Sequence, residues 1–128
     1  MTSSTPRTQA SLARAAEHEV EQTDFGKLVW MVAGRFGNSD TMTVGRCYID
    51  PGKANPRHYH PNCDEVLHVL QGTIEHSAGD ERVRMGPGDT ISIPAGVVHN
   101  ARNIGTDQAI FVISFSAPDR QTVPAPSE

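Results

Sequence analysis

The chain has 128 residues, the usual length of one domain, and 37% of them are hydrophobic. Its net charge is -4 and its 11 basic residues form no block, which argues against nucleic acid and anionic membranes as main partners. Residues 1–10 are polar and no stretch approaches about 18 apolar residues, so the sequence indicates neither a signal peptide nor a membrane span, and we expect a cytoplasmic protein.

The two ends of the chain differ in composition from its centre. Residues 1–25 are expected to form an N-terminal arm, in which residues 1–8, rich in Ser, Thr and Pro, are mobile. Residues 9–22 mix Ala, Leu and Val with charged neighbours, which favours a short, weakly amphipathic helix. Residues 117–128 contain three prolines and are expected to form a flexible tail.

The central residues, 26–116, alternate between short β-rich runs and Gly- or Pro-containing turns such as Asp50-Pro51-Gly52. The predicted strands are 28–33, 41–49, 66–70, 73–77, 82–85, 90–93, 98–103 and 109–115. Many short strands joined by such turns predict an all-β sandwich or barrel. Since no β-α-β alternation occurs, a parallel sheet is not expected.

Two histidines and an acidic residue form the first candidate site. His58 and His60 are two residues apart, so on a strand their side chains point to the same face. Glu65 follows a short turn at the start of the next apolar run, from which its carboxylate can return to the two imidazoles. Imidazole and carboxylate together suit first-row divalent metals. Taken alone, the pattern is also compatible with two surface histidines.

A second stretch, residues 88–103, places one histidine after a Pro-Gly turn. Together the two stretches resemble the two motifs of the cupin family, G-x5-H-x-H-x4-E-x6-G and G-x5-P-x-G-x2-H-x3-N. The spacing is matched at every signature position, namely Gly52, His58, His60, Glu65 and Gly72, then Gly88, Pro94, Gly96, His99 and Asn103. The gap between the motifs, residues 73–87, is similar to that of compact single-domain cupins related to quercetin dioxygenase.

The resemblance implies a cupin double-stranded β-helix, a jelly-roll barrel, preceded by the N-terminal arm. It also implies one divalent transition metal (Fe, Mn, Ni, Cu or Zn) bound by His58, His60, Glu65 and His99. Three neutral ligands and one anion leave such a centre positively charged, and positions free of protein ligands are typical of working rather than structural metal sites. Gly72, Gly88 and Gly96 are expected to serve turns, and Asn103 is expected to be structural or to support the site.

Side chains near the motifs are weaker candidates for substrate contact. Alternation along residues 41–49 turns either Arg46 and Tyr48, or Cys47 and Ile49, toward the pocket, and the sequence leaves the choice open. The predicted substrate-contacting residues are Arg46, Tyr48, Arg57, His76, Asn100 and Phe111. For Arg57, a solvated side chain is an equal alternative. For Phe111, the alternative is a position in the core or at a dimer contact. Cys47 and Cys63 are expected to be free thiols, the alternative being one disulfide.

Three functions remain compatible with the sequence. The first is a metal-dependent enzyme on a small organic substrate, with dioxygenase chemistry ahead of isomerase, lyase or decarboxylase chemistry, and with Glu65 as ligand or as base. The second is metal-assisted binding of a sugar or organic acid without turnover, and the third is a purely structural barrel. The resemblance and an edge strand near the N-terminus also predict a homodimer.

Overall fold

The computed structural model of the chain describes residues 8–126, which form eleven β-strands and two short 3-10 helices, Ala15–Glu17 and Gly34–Phe36. The strands are β1 (Glu19–Gln22), β2 (Gly26–Val32), β3 (Thr43–Ile49), β4 (His58–Tyr59), β5 (Glu65–Gln71), β6 (Ile74–Ala78), β7 (Glu81–Met85), β8 (Thr90–Ile93), β9 (His99–Asn103), β10 (Ala109–Phe115) and β11 (Val123–Pro124). All eight predicted strands are present, with ends within two residues of the predicted ones.

Two antiparallel sheets face each other. One has six strands in the order β1-β2-β3-β10-β5-β8, and the other has five in the order β11-β4-β9-β6-β7. Every pairing between these strands is antiparallel, and strands distant in sequence, such as β3 and β10, lie side by side. The expected all-β jelly roll is therefore confirmed.

The core lies between the sheets because apolar side chains alternate along the long strands. In β3 and β10 every second residue is buried, beginning with the first. The largest fully buried side chains include Trp30, Phe111, Phe115 and Ile49. Burying each such side chain contributes roughly 1.5–3 kcal/mol, so this layer is a main source of stability.

The predicted N-terminal helix is wrong. Within residues 9–22 the structure has only the 3-10 turn Ala15–Glu17 and the exposed strand β1, which pairs with β2. Pairing with an existing sheet edge gives the backbone N–H and C=O groups hydrogen-bond partners, whereas an isolated, weakly amphipathic helix is only marginally stable in water. Glu21 also accepts a hydrogen bond from Trp30 Nε1 at 3.1 Å, and Glu19 pairs with Arg35 at 2.7 Å. Of the residues expected to be mobile, 1–7 lie outside the described part of the chain.

The C-terminal segment, defined here as residues 117–126, also differs from the prediction of a flexible tail. It returns across the open end of the barrel, where β11 pairs with β4. Asn62 Oδ1 accepts from the Gln121 amide at 3.0 Å, and the Ala125 amide donates to the Arg57 carbonyl at 3.0 Å. Prolines disfavour a central strand, but they are tolerated at a sheet edge, which is where β11 lies.

Candidate metal centre

The four predicted metal ligands come together between the two sheets. His58 lies on β4 directly opposite His99 at the start of β9, while Glu65 begins β5 in the other sheet. His60 follows β4 in the turn that leads to β5. Their ligand atoms all lie within 4.8 Å of one another, and all but the half-buried His58 are buried. The turn between His60 and Glu65 thus crosses from one sheet to the other, and the carboxylate meets the imidazoles across the space between the sheets.

Backbone carbonyls orient all three imidazoles in the same way. Each Nδ1 lies within hydrogen-bond distance of a carbonyl oxygen: His58 of Pro56 at 2.6 Å, His60 of Gln121 at 2.8 Å and His99 of Val97 at 2.9 Å. Because a carbonyl only accepts, each Nδ1 carries the hydrogen and each neutral ring directs the lone pair of Nε2 inward. This support is typical of metal-binding histidines.

The inward-facing atoms are all hydrogen-bond acceptors. Nε2 of His99 lies 2.9 Å from Glu65 Oε1, and Nε2 of His60 lies 3.2 Å from the same oxygen. Three nitrogen lone pairs and a carboxylate repel one another unless a cation lies among them. Nitrogen and oxygen ligands of this kind suit first-row divalent metals, so the residues fit a single metal ion.

Burial and the close approach of the four ligands to one another shift the pKa values at the centre. Burial raises the pKa of Glu65, but the neighbouring imidazoles outweigh it and lower this pKa to about 2. Burial and then His99 lower the pKa of His58 to about 4, so this ring is neutral and available as a ligand at neutral pH. Burial lowers the pKa of His99, but hydrogen bonding to Glu65 and the negative charge of Glu65 outweigh burial and raise this pKa.

The centre opens into a cavity of about 240 Å³ between the sheets. Its walls on the six-stranded sheet are apolar and include Leu28, Leu67, Phe111 and Phe115. About half of the lining residues are polar, among them the four converging ligands, so a small molecule here would meet apolar walls on one side and several directional polar groups on the other.

Four predicted substrate-contacting residues lie at this cavity, namely Arg57, His76, Asn100 and Phe111. His76 is 1% exposed, its ring stacks on His99 with centroids 5.7 Å apart, and neither ring nitrogen has a hydrogen-bond partner among residues 8–126. Asn100, by contrast, is engaged by Ser77 and by the Asn55 carbonyl at 3.1 Å. Substrate contact by these four residues stays a prediction.

The prediction of substrate contact by Arg46 and Tyr48 is wrong. The alternation in β3 buries Cys47 and Ile49, and Cys47 lines the cavity, so Arg46 and Tyr48 face outward. Pairing with β2 and β10 on either side determines this register. The arginine instead lies 5.9 Å from the Tyr48 ring on the outer face.

Other expectations agree with the structure. Cys47 and Cys63 are free and buried. Gly72, Gly88 and Gly96 have φ values of 86°, 92° and 85°, which only glycine adopts readily. Asn103 is structural, because its amide donates to the Ile49 and Asp107 carbonyls and accepts from the Gly105 amide.

Sequence reasoning missed Arg120 and Thr122, which line the cavity from the C-terminal segment. It also missed the Gln121 carbonyl that orients His60. These residues lie about 50 positions beyond the end of the first motif, and no local pattern connects them with it.

Comparisons with known proteins give a consistent result. A family model described as a cupin domain matches residues 45–115. Germin-like protein 3-8 of Oryza sativa subsp. japonica is 31% identical over 85 residues, covering 62% of this chain and 38% of that protein. The chain thus spans less than half the length of the curated relatives it matches.

Solved structures share the fold. An oxalate decarboxylase from Lactobacillus farciminis has a TM-score of 0.79 at 22% identity, over 85% of this chain and 34% of that one. KdgF from Halomonas sp. has a TM-score of 0.74 at 22% identity, over 88% of this chain and 97% of that one. Within residues 8–126, no helix has the length and apolar character needed to cross a membrane.

Proposed function

The chain belongs to the cupin family, and from this premise we propose that it is a metal-dependent enzyme acting on a small organic substrate, with dioxygenase chemistry as the leading reaction. One observation carries the proposal: three oriented imidazoles and one carboxylate converge at the cavity between the two sheets. A bound divalent metal would supply Lewis acidity or redox capacity at this point.

The protein residues have distinct tasks in this proposal. His58, His60 and His99 hold the metal through Nε2 while their Nδ1–H groups keep the rings from turning. Glu65 contributes the single negative charge. Its Oε1 lies 2.9 Å from His99 Nε2 and 3.2 Å from His60 Nε2, which favours the role of ligand to the same ion over that of base.

His76 is the candidate for contact with the reacting part of a substrate. Its ring lies beside His99, and burial lowers its pKa to about 4, so it is neutral and offers one donor and one acceptor. The apolar walls exclude water from the same space and strengthen any polar contact made there. A cavity of about 240 Å³ limits the substrate to a small molecule.

Metal content and oxygen consumption test the proposal. Elemental mass spectrometry of the untagged protein should give one equivalent of a transition metal, which His99→Ala abolishes. His68→Ala is the matched control, because His68 lies on the other face of β5, where it bonds Thr90 at 2.7 Å. A protein that takes up no metal on reconstitution contradicts the proposal. A metal-loaded protein that binds small acids or sugars without consuming oxygen or substrate supports the alternative, metal-assisted binding.

We also propose a homodimer and a cytoplasmic location. Strand β1 is short, exposed and at the edge of the six-stranded sheet, so its free side is available for pairing with a second copy. Two free thiols are typical of a reducing compartment. Gel filtration at the monomer volume contradicts the dimer, and cell fractionation checks the location.

A further inference from the structure

The C-terminal segment carries an arginine into the cavity. The Arg120 guanidinium carbon lies 4.5 Å from the Trp30 ring centroid and 4.9 Å from that of Phe115, both of which are buried. Its Nε is buried without a hydrogen-bond partner among residues 8–126, and no carboxylate in that range lies within ion-pair distance. Arg120 is half-buried, and a buried Nε without a partner costs free energy that a ligand accepting its hydrogen would recover.

Within residues 8–126, the cavity lining offers Arg120 one acidic side chain, Glu65. Glu65 is also one of the four converging ligands. Once a divalent cation is bound to it, no other carboxylate of the described lining remains for Arg120. The apolar walls on the six-stranded sheet strengthen the attraction of the guanidinium for an anion, because charges interact more strongly where water is excluded.

We propose that Arg120 binds a carboxylate of the substrate, so that this cavity selects small carboxylic acids over neutral molecules of the same shape. The inference rests on the proposed metal-dependent function, since it names the substrate class of the same cavity. A guanidinium suits this task because its planar fork matches a carboxylate in two parallel hydrogen bonds. The Trp30 and Phe115 rings orient the plane of that fork.

Arg120 lies in a part of the chain that the match to the family model does not cover. The family model ends at residue 115, whereas Arg120 lies beyond it. The segment is held independently of any ligand through Asn62 and through the pairing of β11 with β4. Arg120 is therefore positioned before a substrate arrives, which reduces the entropic cost of binding.

Trp30 provides a direct measurement. It is the single tryptophan of the chain and contacts the guanidinium, so an anion that binds Arg120 changes its fluorescence. Malonate and its neutral analogue malonamide are titrated into metal-loaded and metal-free protein. The variants are Arg120→Met, Arg120→Lys and the matched control Arg46→Met, which removes the same charge from the outer face.

We expect wild type and Arg46→Met to prefer malonate over malonamide by roughly 10- to 100-fold, the range for a hydrogen bond to a charged group. In the metal-free protein, where no metal ion attracts the carboxylates, Arg120→Met should abolish the preference, and Arg120→Lys, which keeps the charge but loses the fork, should retain part of it. Equal affinities for malonate and malonamide in wild type overturn the inference. A malonate preference in Arg120→Met as large as in wild type also overturns it.

Metal content of the same samples separates this inference from the proposed function. A malonate preference that depends on Arg120 in a protein unable to bind metal supports the anion site and contradicts the metal-dependent function. One equivalent of bound metal without any malonate preference contradicts the anion site and supports the metal-dependent function. Circular dichroism verifies that each variant is folded, and Arg120→Lys provides the test if Arg120→Met is not.

Discussion

Replacing His76 with leucine should change how the stability of the metal-free protein depends on pH. His76 is 1% exposed on β6, between Ala101 of β9 and Val83 of β7. Burial, followed by the neighbouring His99, lowers its pKa from 6.5 to about 4, while Glu65 acts weakly in the opposite direction. Leucine has a similar volume and does not titrate.

The sign follows from proton binding. Between pH 6.5 and 4 the unfolded chain binds a proton at His76 and the folded protein does not. The free energy of unfolding therefore falls as the pH is lowered through this interval. At ~1.4 kcal/mol per pKa unit, the wild type should lose about 2 kcal/mol through this residue between pH 7.5 and pH 5. The lowered pKa of His58 also makes the free energy of unfolding fall at low pH, but His58 is present in both proteins and its contribution cancels.

Urea unfolding of chelator-treated protein at the two pH values measures the effect. We expect the stability of His76→Leu relative to wild type to increase by about 2 kcal/mol on going from pH 7.5 to pH 5. His68→Leu, on the outer face of β5, should show no comparable change. If the difference between His76→Leu and wild type is the same at both pH values, burial does not hold the imidazole neutral and the reasoning is refuted.

Three further predictions concern the centre, the core and the thiols. Metal affinity should fall by up to about tenfold per pH unit below the raised pKa of His99, because a proton then competes for Nε2, and a flat competition profile between pH 5 and 7 would contradict this. Gly45→Ala should destabilise the protein by roughly 1–3 kcal/mol in urea, since a Cβ would lie 2.6 Å from the Trp30 ring, whereas Gly86→Ala, with nothing within 4 Å, should be nearly neutral. Burial raises the pKa of both cysteine thiols, so Ellman's reagent should react only after unfolding, and rapid labelling of folded protein would argue against it.

The strands and the metal ligands were predictable because their signals are local. His58, His60 and Glu65 lie within eight residues on either side of one turn, and His99 follows a Pro-Gly turn, so spacing alone relates each ligand to a strand end. Strand positions were accurate for the same reason, since turn residues delimit every apolar run.

The remaining features depend on contacts between distant residues. Alternation within β3 fits either face, and only pairing with β2 and β10 turns Cys47 inward rather than Arg46. Strand β1 has no apolar face of its own and exists because β2 offers an edge. The C-terminal segment has the composition of a tail, and its role at the cavity follows from pairing with β4, about 60 residues earlier in the chain.

The hydrogen bond between His60 and the Gln121 carbonyl has a consequence for biosynthesis. A nascent chain that has emerged as far as His99 already holds all four ligands, but the imidazole of His60 is not yet held in the tautomer that the centre uses. The centre becomes complete only when residue 121 has left the ribosome and joined the barrel. The finished geometry of the centre is therefore a late product of synthesis.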